Sequence, residues 1–185
     1  MIFLFQHELL ISPSKEVAIS QKILPTISAL NKKEACLVID SQKGESPTIK
    51  LDNIQSRTFI NDTLNNKGIF PYTVAKLSGG GSVHLELDEK NLSTSIPNLI
   101  SLFQYFAVSV FCRNILIIIN EFQNLPKISP LIDLLKAEYP NNIKVLAIMN
   151  VSNIDIAHQT LRQAGYSEKE IRLLFDKCKI SRLPS

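Results

Sequence analysis

The chain of 185 residues is 45% hydrophobic and 20% charged, the size and make-up of a single globular domain over 1–185 and not of a disordered chain. Its 20 basic and 17 acidic residues leave a formal charge of +3, so charge gives no support to a nucleic-acid surface. Only 6 residues are glycine, well short of the roughly 7% of an ordinary protein, which counts against functions built on glycine-rich phosphate loops.

In chain order, the wholly apolar IFLF at 2–5 predicts a first strand, followed by a loop containing Ser12 and Pro13 and a helix over 15–30. Pro25 is expected to kink or end that helix, because proline lacks the N–H and crowds the preceding turn. ACLVI at 35–39 predicts a buried strand ending in Asp40, with a polar loop around Gly44 beyond it. Signals are weaker over 47–76: a short strand at 57–60 and a turn-rich or briefly helical connection at 61–68. Gly79, Gly80 and Gly81 mark a turn. SVHLEL at 82–87 then alternates as a strand, with Val83, Leu85 and Leu87 on one face and His84 and Glu86 on the other.

A helix apolar nearly all round is predicted over 95–112, with Pro97 in its first turn, and ILIII at 115–119 is a strand covered on both faces. An amphipathic helix at 131–139, a buried strand at 143–149 and helices at 154–164 and 168–177 complete the order. Strands separated by helices, several without polar alternation, predict an α/β fold of three layers around a mostly parallel central sheet.

Cys36, Cys112 and Cys178 have no pair spacing and lie in apolar segments, the pattern of reduced core thiols in a cytoplasmic protein. MIFLFQHELL lacks the basic start and small-residue cleavage site of a signal peptide. The most apolar stretch, 99–119, is interrupted by Gln104, Arg113 and Asn114, so no membrane span is expected. His7, His84 and His158 share no metal-ligand spacing, and surface or strand-face positions are expected for them. Ser82 lacks the glycine-flanked elbow of a serine nucleophile. Lys32, Lys33 and Glu34 read as a solvated helix-end patch.

In a sheet of this kind ligands sit beyond the carboxyl ends of the strands. The residues there are Ser14, Lys15 and Glu16 after the first strand, Asp40 after the second, Asn120 and Glu121 after 115–119, and Asn150 after 143–149. This is the layout of a P-loop nucleotide hydrolase, with the phosphate loop in the first position and the metal-holding and water-activating acids in the third. A working phosphate loop reads Gly, four residues, then Gly, Lys and Ser or Thr, because backbone N–H groups must wrap the phosphates while the hydroxyl ligates magnesium. In the register that keeps the lysine, Leu9, Ser14, Lys15 and Glu16 take these places and only the lysine survives. Pro13 removes one loop donor, and Glu16 brings a carboxylate that would repel a triphosphate. A helix cap by Ser12 or Ser14 is the preferred reading of this stretch. Asn120 likewise stands where the first acid of a Walker B element would hold the magnesium shell, and an amide cannot supply that charge. Glu121 could polarise a water, but a base without a metal-bound phosphate has nothing to hydrolyse.

Several collinear segments together resemble one family, the coupling-protein ATPases of conjugation and type IV secretion systems in the FtsK and HerA-like group. SPSKEVAISQKILPTI resembles their phosphate loop and following helix, and ACLVIDSQKGES the next strand and loop. SIPNLISLFQYFAVSVF is similar to the apolar helix before Walker B, and IIINEFQNLPKISPLIDLLK to Walker B and the helix after it. VLAIMNVSNIDIAHQTL resembles the strand ending in a sensor glutamine, here Asn150, and FDKCKISRLP the closing segment. The glycines, hydroxyl and aspartate that diagnose the family are the residues that differ. No space is expected for the family's all-helical insertion or its membrane helices.

The resemblance implies a stripped RecA-like P-loop fold that has lost hydrolysis. It is expected to act as a pseudo-ATPase scaffold or binding subunit of a secretion or DNA-transfer assembly, with protein partners and without catalytic residue, cofactor or metal. The alternatives are a nucleotide-binding subunit completed by a neighbouring subunit, and a clamp-loader-like adaptor or secreted effector.

Overall fold

The computed structural model describes residues 6–31, 33–41, 59–63, 69–87, 92–137 and 142–184. The order is β1 (His7–Ser12), α1 (Lys15–Ala18), a π-helical turn (Ile19–Ile23), α2 (Leu24–Ser28), β2 (Ala35–Ser41), β3 (Phe59–Thr63), α3 (Ile69–Ser78) and β4 (Ser82–Leu87). Then follow α4 (Leu92–Val108), β5 (Ile115–Asn120), a 3-10 turn (Phe122–Asn124), α5 (Ser129–Lys136), β6 (Ile143–Asn150), α6 (Ile154–Gln163), α7 (Glu168–Lys177) and β7 (Cys178–Arg182).

The described strands form one seven-stranded sheet in the order β3-β4-β2-β5-β6-β1-β7, and every neighbouring pair is parallel. The chain travels one way across the sheet from β1 to β2 and the other way from β3 to β4, β4 to β5, β5 to β6 and β6 to β7. Right-handed crossovers therefore place the α1–α2 run on one face and α3 to α7 on the other. The cores follow suit. Ala18, Ile23 and Ile27 pack on Leu10, Val38, Ile118 and Ile148, while Leu77, Phe103, Phe106, Leu131, Leu161 and Leu174 pack on the opposite face. The fold is a three-layer α/β domain of RecA-like type.

Several expectations need correction. The predicted strand at 2–5 lies outside the described residues, and the first described strand is HELLIS, which was expected to be loop. Leu9, Leu10 and Ile11 are buried there, and the charge of Glu8 is answered by Lys22, whose ammonium holds both carboxylate oxygens at 2.7 and 2.8 Å. Pro25 neither ends nor breaks the helix. The π-helical turn widens the backbone just before it, with the Leu24 N–H donating to the Ile19 carbonyl five residues back, which relieves the crowding by the proline ring.

The weak strand signal at 57–60 is realised as β3 at Phe59–Thr63, which takes in 61–63 of the expected turn-rich connection, while residues 57–58 and 64–68 lie outside the described set, as does the Gly44 loop. Helix α4 starts three residues before the expected position, so Pro97 falls inside it and not in the first turn. The same helix ends at Val108, which leaves Cys112 exposed and not in the core, unlike Cys36 and Cys178. Burial pushes the Cys178 thiol up to about 12. Glu34 is buried and accepts from the Asn31 N–H, so it is no solvated patch. Among the described residues no helix is long and apolar enough to cross a membrane.

His7 has a structural task that sequence spacing does not show. Its Nδ1 accepts the backbone N–H of Val145 at 3.1 Å, and burial, with Lys144 nearby, lowers its pKa to about 4. The unfolded chain takes up this proton near pH 6.5, so stability is lost as pH falls from about 6.5 to about 4, by about 3 kcal/mol from this group. Urea midpoints measured from pH 7 down to pH 4 should fall, and His7→Asn, which keeps an acceptor near Nδ1, should flatten that fall.

Candidate functional site

Within each central strand alternate residues face the α1–α2 run: Leu10 in β1, Cys36 and Val38 in β2, Leu116 and Ile118 in β5, Leu146 and Ile148 in β6. Continuing that alternation to the carboxyl ends puts Ser12, Asp40, Asn120 and Asn150 on the same face, in a polar row beneath the start of α1. This is the crevice where a ligand of an open α/β sheet would bind.

The entrance to α1 is the main departure from a phosphate site. Only Pro13 and Ser14 separate β1 from α1, because Leu9 to Ser12 belong to the strand. Leu9, in the place of the first loop glycine, is fully buried and lies between Ala147 of β6 and Ile180 of β7. Two residues cannot wrap a phosphate, and one of them has no N–H to offer. The Ser12 hydroxyl donates to the Ser14 carbonyl at 2.8 Å, and the extended Ser14 accepts the Val17 N–H on its own hydroxyl at 3.3 Å. Ser14 is therefore the helix cap, one of the two serines given that role from sequence.

Lys15 is turned inward. Its ammonium donates to Glu121 Oε2 at 2.8 Å and lies 3.2 Å from Asp40 Oδ1, with all three side chains at most 8% exposed. Asn120 completes the group by donating its amide to Asp40 Oδ1 at 2.9 Å. Glu121 projects from a left-handed backbone (φ 53°) into the 3-10 turn, where Asn124 donates to its second oxygen at 3.4 Å. Burial pushes the Glu121 carboxyl above the usual glutamate range, with the adjacent Lys15 opposing and Asp40 adding to the shift.

Of the candidate residues, Lys15, Asp40, Asn120 and Glu121 are thus brought into one buried cluster. Ser14 stands at its edge as a cap. Glu16 is exposed and outside it; its own backbone N–H and then the Ser14 hydroxyl hold its carboxyl below the usual range. Asn150 is separate: its N–H donates to Gln123 Oε1 at 3.0 Å, while both polar atoms of its amide are buried and, like Asn120 Oδ1, unbonded among the described residues. Sequence reading weighed Ser12 only as a helix cap, because the first strand was placed too early, and it missed Gln123 and Asn124, which follow Glu121 without a pattern of their own.

Among the described residues the cluster holds one ammonium and two carboxylates, a net negative charge where a triphosphate would have to sit. A phosphate charge at ~4 Å from one carboxylate is opposed by about 4 kcal/mol at an effective dielectric near 20. Lys15, which would offset this, is already shared between two acids. A separate cleft of about 680 Å³ lies at the amino ends of β2 and β5, between Asn31, Lys33, Glu34, Cys112, Arg113 and Asn114, away from this crevice. No protein-family model, curated protein or solved structure matches the chain.

Proposed function

We propose that the chain is a pseudo-ATPase: a non-hydrolysing binding or scaffold subunit built on a RecA-like frame, working in the cytoplasm on a type IV secretion or DNA-transfer coupling assembly. The observation that carries this reading is the capture of Lys15 by Glu121 and Asp40, behind a two-residue connection in place of a phosphate loop. The assembly itself is inferred from the collinear resemblance of segments to coupling proteins. Affinity capture of the tagged chain from its own cell tests that part: recovery of coupling or secretion subunits supports it, and recovery of replication proteins alone overturns it.

The second reading is a nucleotide site completed by a neighbouring subunit. It is favoured by the buried amide atoms of Asn120 and Asn150 that have no partner among the described residues, polar groups suited to taking a ligand. ATP hydrolysis by the assembly that is lost on Glu121→Gln would establish it in place of the first.

A further inference from the structure

One edge of the sheet carries chemistry unrelated to the polar crevice. β7 pairs with β1 on one side and with no described strand on the other, and its Lys179 and Arg182 are exposed. On the α1–α2 face beside that edge, Glu8 of β1 stands in register with Lys179 of β7, and Lys144 of β6 shares the face. Lys22 reaches down from the π-helical turn and takes both oxygens of Glu8.

Among the described residues three lysines therefore share this face with one carboxylate, which is already held by Lys22. Lys144 is held below the ordinary lysine value, by burial first and then by Lys22 and Lys179, with Glu8 alone opposing. Among the described residues neither Lys144 nor Lys179 forms a salt bridge. Among the described residues the corner has excess positive charge, next to a row of backbone donors and acceptors that no described strand pairs with.

We propose that this corner docks an acidic, extended peptide segment of a partner protein, which adds beside β7 as a further strand and sets its carboxylates against Lys179. Lys144 and Lys22 stand behind and strengthen the positive field. Two features choose this occupant. Open strand N–H and C=O groups are matched by another peptide backbone, which a nucleic acid cannot supply. A second copy of the same edge would bring Lys179 and Arg182 against their own kind, and like charges oppose such pairing. The site does not include Lys15 and stands whether or not nucleotide binds.

The test is fluorescence anisotropy of the full chain with a labelled peptide of alternating glutamate and threonine. Saturable binding is expected. It should weaken about ten-fold on Lys179→Glu, where an attractive surface pair becomes a repulsive one, and change little on Lys169→Glu in α7. A peptide of the same charge with proline at its centre should bind far more weakly, because proline removes a ladder donor. Absence of binding, equal binding of the proline peptide, no effect of Lys179→Glu, or preference for duplex DNA over the peptide would each overturn the proposal.

Discussion

Replacing Lys15 with methionine is expected to destabilise the domain by about 3–5 kcal/mol, a large share of the roughly 5–15 kcal/mol that holds a domain together. The cause is the pair left behind. Asp40 is fully buried and Glu121 nearly so, and without the ammonium two carboxylates would face each other out of water. The loss should also depend on pH with a definite sign. A carboxyl whose folded pKa is raised costs no stability while protonated in both states, and costs it increasingly as pH rises through the raised value. The Lys15→Met penalty should therefore be greatest at neutral pH and shrink on acidification. Chemical denaturation at pH 7 and pH 5 measures both quantities. A lysine waiting in an open phosphate site has no buried acids to neutralise, and its loss would leave stability almost unchanged.

Leu9→Gly is the second large effect. If residue 9 began a phosphate loop, glycine there would be neutral or favourable. As the middle of β1 it fills the core between β6 and β7, so the change removes a whole buried side chain and loosens a strand backbone. The expected cost is about 3–5 kcal/mol, from a Leu-to-Ala loss plus the glycine entropy term. Thermal unfolding compared with wild type decides it, and a variant of wild-type stability would contradict the placement of Leu9 in a strand.

How much could be read from the sequence depended on how local each cause was. The strand at Ser82–Leu87 and the helix at Glu168–Lys177 were legible to the residue. One has strict alternation, and the other has Ser167 and Glu170 making a complete capping box. The aliphatic runs of β5 and β6 needed only their terminal Asn120 and Asn150 added. HELLIS was misread because Glu8 is acceptable in a strand only through Lys22, fourteen residues away across a turn. β7 was passed over because CKISR is short and charged, as an edge strand can be while a central one cannot. α3 was missed because its segment opens on IFP after a weak connection, and its support comes from packing of Leu77 in the core.

At the candidate site the same division holds. The alternation of apolar runs placed Lys15, Asp40, Asn120 and Glu121 at one end of the sheet correctly. What it could not supply was the partner of each charge. The contacts of Lys15 with Glu121 and of Asn120 with Asp40 join residues 106 and 80 positions apart. The low glycine count pointed toward a missing phosphate cradle. The reason found is stronger than composition: the strand runs on through the positions the loop would need.

Isothermal titration of the purified chain with ATP and magnesium tests the central claim most directly. With Lys15 held by Glu121 and Asp40, no saturable heat is expected at millimolar nucleotide, for wild type and for Glu121→Gln alike. Saturable binding that disappears on Lys15→Met, in a variant still folded by circular dichroism, would contradict it.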